Sequence, residues 1–238
     1  MITGLTKFVN LYLAPVLSLT SIVLVILAYL APSLVLSTKV ALLTVTPSTS
    51  LTEPTNLSGD GVDGPSLFFG ALGSCSRPNN GATVVCQPAT VSPHYDLSAL
   101  PSSAPTLLNA PTATTPAFIA IALGFTIIFF ILFSLTAFRS KLGAKLGGAM
   151  DKPGIQRATA WIGLLGFMIG FTSFLVIRMW FGKAVEDFND AILKGGQSAP
   201  ALVAATSNGF IMVYVAYAFY AVPLVSSLAK LHVLSGKA

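Results

Sequence analysis

Charge is what this sequence most lacks: only 9% of its 238 residues are Asp, Glu, Lys or Arg. Soluble domains typically carry about 25%, so the polar residues here are too few to cover a water-soluble globule. Histidine is scarce as well, with only His94 and His232, which leaves no visible catalytic triad. Cysteine is limited to Cys75 and Cys86, and two thiols without neighbouring histidine make a poor metal site. No Walker loop, dinucleotide fingerprint, zinc-protease helix or nucleophile elbow occurs in the chain. These absences point away from an enzyme, and no cofactor or metal is expected.

What the chain has in quantity is apolar sequence: 54% hydrophobic residues and a mean hydropathy of +0.80. Four runs reach the roughly 20 residues that a helix needs to cross a bilayer. They are Phe8 to Leu36, Ala117 to Phe138, Trp161 to Phe181 and Asn208 to Leu228. The first is too long for the apolar region of a secretory signal, about 7–15 residues, and is expected to be a retained span. Pro15 and Pro32 lie near its two ends, where a kink or stop is least costly. The expectation is an all-α membrane protein, a four-transmembrane-helix bundle.

The loops divide by charge. Residues 139–157 carry Arg139, Lys141, Lys145, Lys152 and Arg157 against Asp151, a net +4. Residues 37–116 carry a net −2 and residues 182–207 a net −1. Positive charge in short loops marks the cytoplasmic side, so residues 139–157 and both termini are read as cytoplasmic. The segments 37–116 and 182–207 are then extracellular. The net charge of +5 needs no nucleic acid, because it serves topology and attraction to anionic inner-leaflet lipid.

Most of the first extracellular loop is low-complexity. "TVTPSTSLTEPTNLSGDGVDGPS" and "SSAPTLLNAPTATTP" bury too little to form a core of their own. Between them, "SLFFGALGSC" and "ATVVCQ" are β-prone runs separated by "SRPNNG", which predicts a β-hairpin over residues 66–88. Thiols outside the cell meet an oxidising compartment, so Cys75 and Cys86 are read as a disulfide on paired strands. Such a bridge can add about 3 kcal/mol to a hairpin that is marginal alone. The same topology exposes the sequon at Asn56, "NLS", to glycosylation.

Several other residues invite a functional reading. Arg178 is the one formal charge inside a span, and with Trp180 it is read as an interface anchor whose stem reaches the headgroups. Gly163, Gly166 and Gly170 form a small-residue row that lets another helix approach. Tyr214, Tyr217 and Tyr220 recur on one side of the fourth span and are read as packing groups. "KAVEDFNDAILK" is amphipathic enough to extend the third helix beyond the bilayer, with Glu186 and Asp190 on a solvated face. His94 is read as a surface residue.

Four spans, a long first outer loop and a spaced cysteine pair resemble the claudin superfamily. The fungal Sur/PalI family of eisosome-associated plasma-membrane proteins is closer. Gly70, Leu72, Gly73, Cys75 and Cys86 match the positions of that family's glycine–tryptophan–cysteine signature, with Leu72 where the signature has an aromatic. "FGKAVEDFNDA", Phe181 to Ala191, resembles the segment that such fungal proteins carry after the third helix. The resemblance implies a claudin-like bundle with a small disulfide-stapled extracellular β-element. It also implies a non-catalytic role, organising a plasma-membrane microdomain through helix packing, lipid contact and the outer loop. The expected partners are membrane lipids and other membrane proteins, as a homo-oligomer or a subunit of a larger complex. An accessory or sensor subunit, as in the PalI branch, is the alternative. A pore or transporter would need polar residues lining the spans, and these offer almost none.

Overall fold

The computed structural model describes residues 9–51, 62–141, 143–150 and 152–235. Four of its helices are long and apolar enough to cross a membrane, and they accompany a five-stranded sheet and one disulfide. The chain is a multi-pass membrane protein in architecture. Only 28–39% of the residues in each apolar span are buried within the protein. The remainder, including Val16, Leu19, Ile128, Ile131, Leu165 and Met168, face outward. Apolar surface on that scale requires a solvent of lipid.

A π-helical turn, Val9–Leu13, leads into helix α1, Ala14–Leu30. Pro15, which has no N–H to donate, stands beside the change of winding. The helix stops at Leu30, short of the expected Leu36, because the residue before Pro32 is driven out of the helical region. Helix α2 spans Thr114–Ala137 and the short α3 spans Gly143–Met150. Helix α4 is one continuous rod, Pro153–Gly195, longer than its apolar run. Helix α5 spans Gly209–Ser235.

The chain divides into two compact units. One, here the helical unit, comprises Met1–Ile26, Phe118–Thr172 and Val213–Ala238. Its core is aromatic: Phe129, Phe133, Tyr220 and Leu224 pack with Ala14. The Tyr220 hydroxyl donates to the Gly163 carbonyl at 3.0 Å. Phe129 meets the Tyr220 ring edge-on at 5.3 Å, and Phe167 meets Tyr217 in the same way at 5.5 Å. Tyr217 and Tyr220 are thus packing groups, whereas Tyr214 is 39% exposed.

The other, the sheet unit, comprises Leu27–Ala117 and Ser173–Met212. Its strands are β1 (Leu43–Pro47), β2 (Ser66–Phe69), β3 (Ser74–Arg77), β4 (Val85–Cys86) and β5 (Leu202–Thr206). They form one antiparallel sheet in the order β4-β3-β2-β1-β5. The expected hairpin over 66–88 is therefore only part of the element. The run "SLFFGALGSC" folds on itself as β2 and β3, and β4 then pairs with β3. Strand β1 lies at the start of the stretch read as low-complexity, and β5 comes from the second loop. Alternate residues Leu43, Val45, Leu67, Phe69, Leu202 and Ala204 are buried, as one covered sheet face requires. Phe174, Ile177, Phe181, Phe188 and Ile192 are buried on one stripe of α4. That stripe explains why the helix persists past its apolar run.

The glycine row of α4 meets partners from within the helical unit. A methyl at Gly163 would lie 2.5 Å from the Phe129 ring, and one at Gly166 would lie 3.1 Å from Phe125 Cβ. A methyl at Gly170 would collide with the Tyr217 hydroxyl and lie 2.9 Å from Ala122 Cβ. Overpacking of this kind costs about 1–3 kcal/mol. Gly170→Ala is therefore expected to lower the melting temperature of the detergent-solubilised protein. Adding Tyr217→Phe should recover part of that loss, and strictly additive effects of the two substitutions would refute the contact.

Candidate functional site

The residues that carry the family resemblance gather at the β2–β3 turn. The Gly70 N–H donates to the Gly73 carbonyl at 2.9 Å and closes a tight hairpin. Gly70 has no room for a side chain, because a Cβ would overlap the Ala31 carbonyl and the Pro32 ring. At Gly73 a Cβ would lie 2.8 Å from Ser33 Oγ. Both glycines are thus needed for close approach of the turn to residues 31–33. Leu72 is buried, and its carbonyl accepts a hydrogen bond from the Thr90 N–H at 2.9 Å. An aliphatic side chain fills this site where the family signature has an aromatic.

Cys75 and Cys86 sit opposite each other on β3 and β4 and are joined by a disulfide with an S–S distance of 2.05 Å. Strand β4 pairs through only Val85 and Cys86, so the covalent link secures a strand too short to hold itself. The connection between β3 and β4 is a turn in which the Ala82 N–H donates to the Asn79 carbonyl at 3.2 Å. The Asn79 side chain accepts from the Gly81 N–H at 3.1 Å. Asp63 buttresses the turn by accepting from the Asn80 N–H at 2.7 Å.

Sequence reasoning passed over Tyr95, which is central to the same cluster. Its ring packs on Phe69 at 4.8 Å and its hydroxyl donates to the Gly70 carbonyl at 2.7 Å. Burial raises the phenol's pKa, so it stays a donor throughout the physiological range. The next residue, Asp96, has its pKa lowered by hydrogen bonds from Ser98 and, less strongly, from Gln87. Two asparagines were also missed. Asn189 on α4 bonds both the N–H and the C=O of Ala204 at 2.9 Å, tying β5 to the helix. Asn208 donates to the Lys39 carbonyl at 2.7 Å.

Arg178 is half-buried, with its guanidinium 5.5 Å from the centre of the Phe210 ring. Among the described residues it has no carboxylate partner, which leaves the anchor reading in place. The Trp180 indole N–H donates to the Asn109 carbonyl at 3.0 Å while the ring remains 45% exposed. Lys183 bridges Asp187 at 2.7 Å and Glu186 at 3.4 Å on the exposed face of α4. Such surface pairs contribute little to stability. His94 is exposed. Asn56 lies outside the described residues. Among the described residues no three His, Cys, Asp or Glu side chains converge.

No protein-family model, curated protein or solved structure matches this chain.

Removing the disulfide should loosen the sheet edge while the apolar helices remain inserted, since insertion follows apolar length. A Cys75→Ala variant is expected to stay in membranes yet be cut by protease between residues 60 and 100. The loss in local stability should be about 2–4 kcal/mol. Non-reducing peptide mapping checks the bridge itself, and limited proteolysis of both proteins checks its effect. An unchanged cleavage pattern would show that the bridge is dispensable.

Proposed function

We propose that the chain is a non-catalytic, claudin-like plasma-membrane protein, similar to the fungal Sur/PalI family. In this reading it organises a membrane microdomain or a cell-wall-facing assembly. One observation supports the reading above all others: strands from residues 37–116 and from residues 182–207 join in a single disulfide-linked sheet. Two loops built into one element present a fixed surface, whereas separate flexible loops would lose entropy on every encounter. The outward-facing apolar residues of the spans supply contact with lipids and with other membrane proteins. Both termini and residues 139–157 are cytoplasmic in this reading, the sheet is extracellular, and Asn56 carries a glycan.

Orientation is checked with a membrane-impermeant thiol reagent on intact cells. The probes are single cysteines introduced at positions 60 and 145 of a variant lacking Cys75 and Cys86. Position 60 should label and position 145 should not, and the opposite pattern would reverse the topology.

The organising role is tested by imaging a tagged protein in living cells and purifying it in a mild detergent. Stable lateral clusters that disperse when the sheet is disrupted are expected. Recovery in a fixed ratio with one larger membrane protein would instead favour an accessory or sensor subunit. A uniform distribution with no bound partner would defeat both readings.

A further inference from the structure

We infer that Ser102, Ser103 and Thr106, in the sheet unit, are acceptors for O-linked sugar. They lie in "LPSSAPTLLNAP", residues 100–111. The Ala104 N–H donates to the Pro101 carbonyl at 2.8 Å, which closes a turn with Ser102 and Ser103 at its two central positions. Both side chains are exposed, and so is that of Thr106. Ala104 and Leu108 are buried on either side of Thr106. The Trp180 indole N–H holds the Asn109 carbonyl at 3.0 Å. The segment is thus pinned at Ala104, Leu108 and Asn109 while the three hydroxyls stand out from it.

These hydroxyls are also unused. Ser102, Ser103 and Thr106 make no hydrogen bond with any described residue. By contrast, Thr90 Oγ donates to the Ser92 carbonyl at 2.6 Å and Ser198 Oγ to the Gly195 carbonyl at 2.7 Å. A sugar on either of those would break a bond that holds a turn, whereas on the three free hydroxyls it displaces only water. Pro101 precedes Ser102 and Pro105 precedes Thr106. Proline fixes φ and offers no N–H, and residues 105–112 belong to no helix or strand. The backbone around Thr106 is therefore free to lie in an enzyme groove, where main-chain pairing holds an acceptor peptide. Serine and threonine among prolines at this density are the composition of O-glycosylated segments.

Each transfer joins a hydroxyl oxygen to the anomeric carbon of a sugar carried on a phosphate-activated donor. The bond from that carbon to the donor's phosphate oxygen breaks, the phosphate leaves with the electron pair, and the hydroxyl proton passes to the transferase's base. Such donors and transferases meet secreted segments, so the inference rests on the reading that places residues 37–116 outside the cell. The acceptors are distinct from the sequon at Asn56. An Asn-linked glycan cannot account for sugar here, because Asn109 is followed by Ala110 and Pro111 and forms no sequon. Sugars on this corner add a bulky, hydrated layer to an otherwise bare irregular segment.

The test uses the full-length protein purified from the membranes of eukaryotic cells. Peptides covering residues 96–112 are sequenced by mass spectrometry, with fragmentation that preserves glycosidic bonds, before and after mild alkaline elimination. The wild type should carry hexose or N-acetylhexosamine increments on Ser102, Ser103 or Thr106, and alkali should remove them. The Ser102→Ala/Ser103→Ala/Thr106→Val variant should be lighter as an intact protein by the sugar carried there, which checks the assignment without recovery of the peptide. An unmodified wild-type peptide, or increments confined to other residues, would overturn the inference. Phosphate on the three hydroxyls would overturn it as well, since that marks a cytoplasmic segment. The thiol-labelling experiment separates the two failures. An unmodified peptide with position 60 labelled from outside refutes the acceptor sites alone, whereas labelling at position 145 instead shows that the topology has failed with them.

Discussion

Strand β1 is paired on both of its edges, to β2 from its own loop and to β5 from the other. Five consecutive residues of β1 pair with β5, and three pair with β2. Everything distinctive about the sheet unit follows from that double pairing. With β1 in place, the covered sheet face is continuous from Leu202 to Phe69, and α4 has a reason to stay helical beyond its apolar run. The bidentate bond of Asn189 to Ala204 then fixes β5 against the helix. Without β1, β5 would be an isolated strand and the disulfide would hold a lone three-stranded ribbon.

The helical unit is held together under a different constraint. Lipid is as apolar as leucine, so helices in a bilayer gain nothing simply by hiding apolar side chains from it. Close packing and internal hydrogen bonds must supply the association. Gly163, Gly166 and Gly170 let α4 approach Phe129, Phe125 and Tyr217 within ordinary contact distance. Tyr217 fills the space so opened at Gly170, and Tyr220 bonds the Gly163 carbonyl. The glycines and the tyrosines are one device seen from two helices. That is why the small-residue row serves the protein's own packing.

The four spans were legible because apolar length is a one-dimensional property, readable without knowing any contact. The cysteine pairing was legible for a similar reason: the two residues sit in one loop, across a short turn. Strands β1 and β5 were not legible. "LTVTP" alternates buried and open positions, but over too few residues to stand out from its Thr- and Pro-rich surroundings. "LVAAT" alternates weakly, because alanine fits either face. Strand β5 pairs with β1 alone, more than 150 positions away in the chain, and β1 pairs with β2 as well. The roles of Asn189, Asn208 and Tyr95 depend on that pairing and were hidden with it.

The placement of polar groups also bears on what the helices can do. Among the described residues, the buried polar set consists of hydroxyls alone, with no buried charge. Thr126 and Thr159 spend theirs on carbonyls of their own helices, at 2.8 Å each. A translocation path needs polar groups turned toward a shared lumen through the depth of the membrane. Here the convergent charged groups of the helical unit, Arg139 and Lys230, stand instead where the spans end. Of the span hydroxyls, those of Thr126 and Thr159 are satisfied on their own helices whereas Ser18 Oγ and Ser134 Oγ are buried without a partner, so hydrogen bonding within the spans is incomplete even where packing is close.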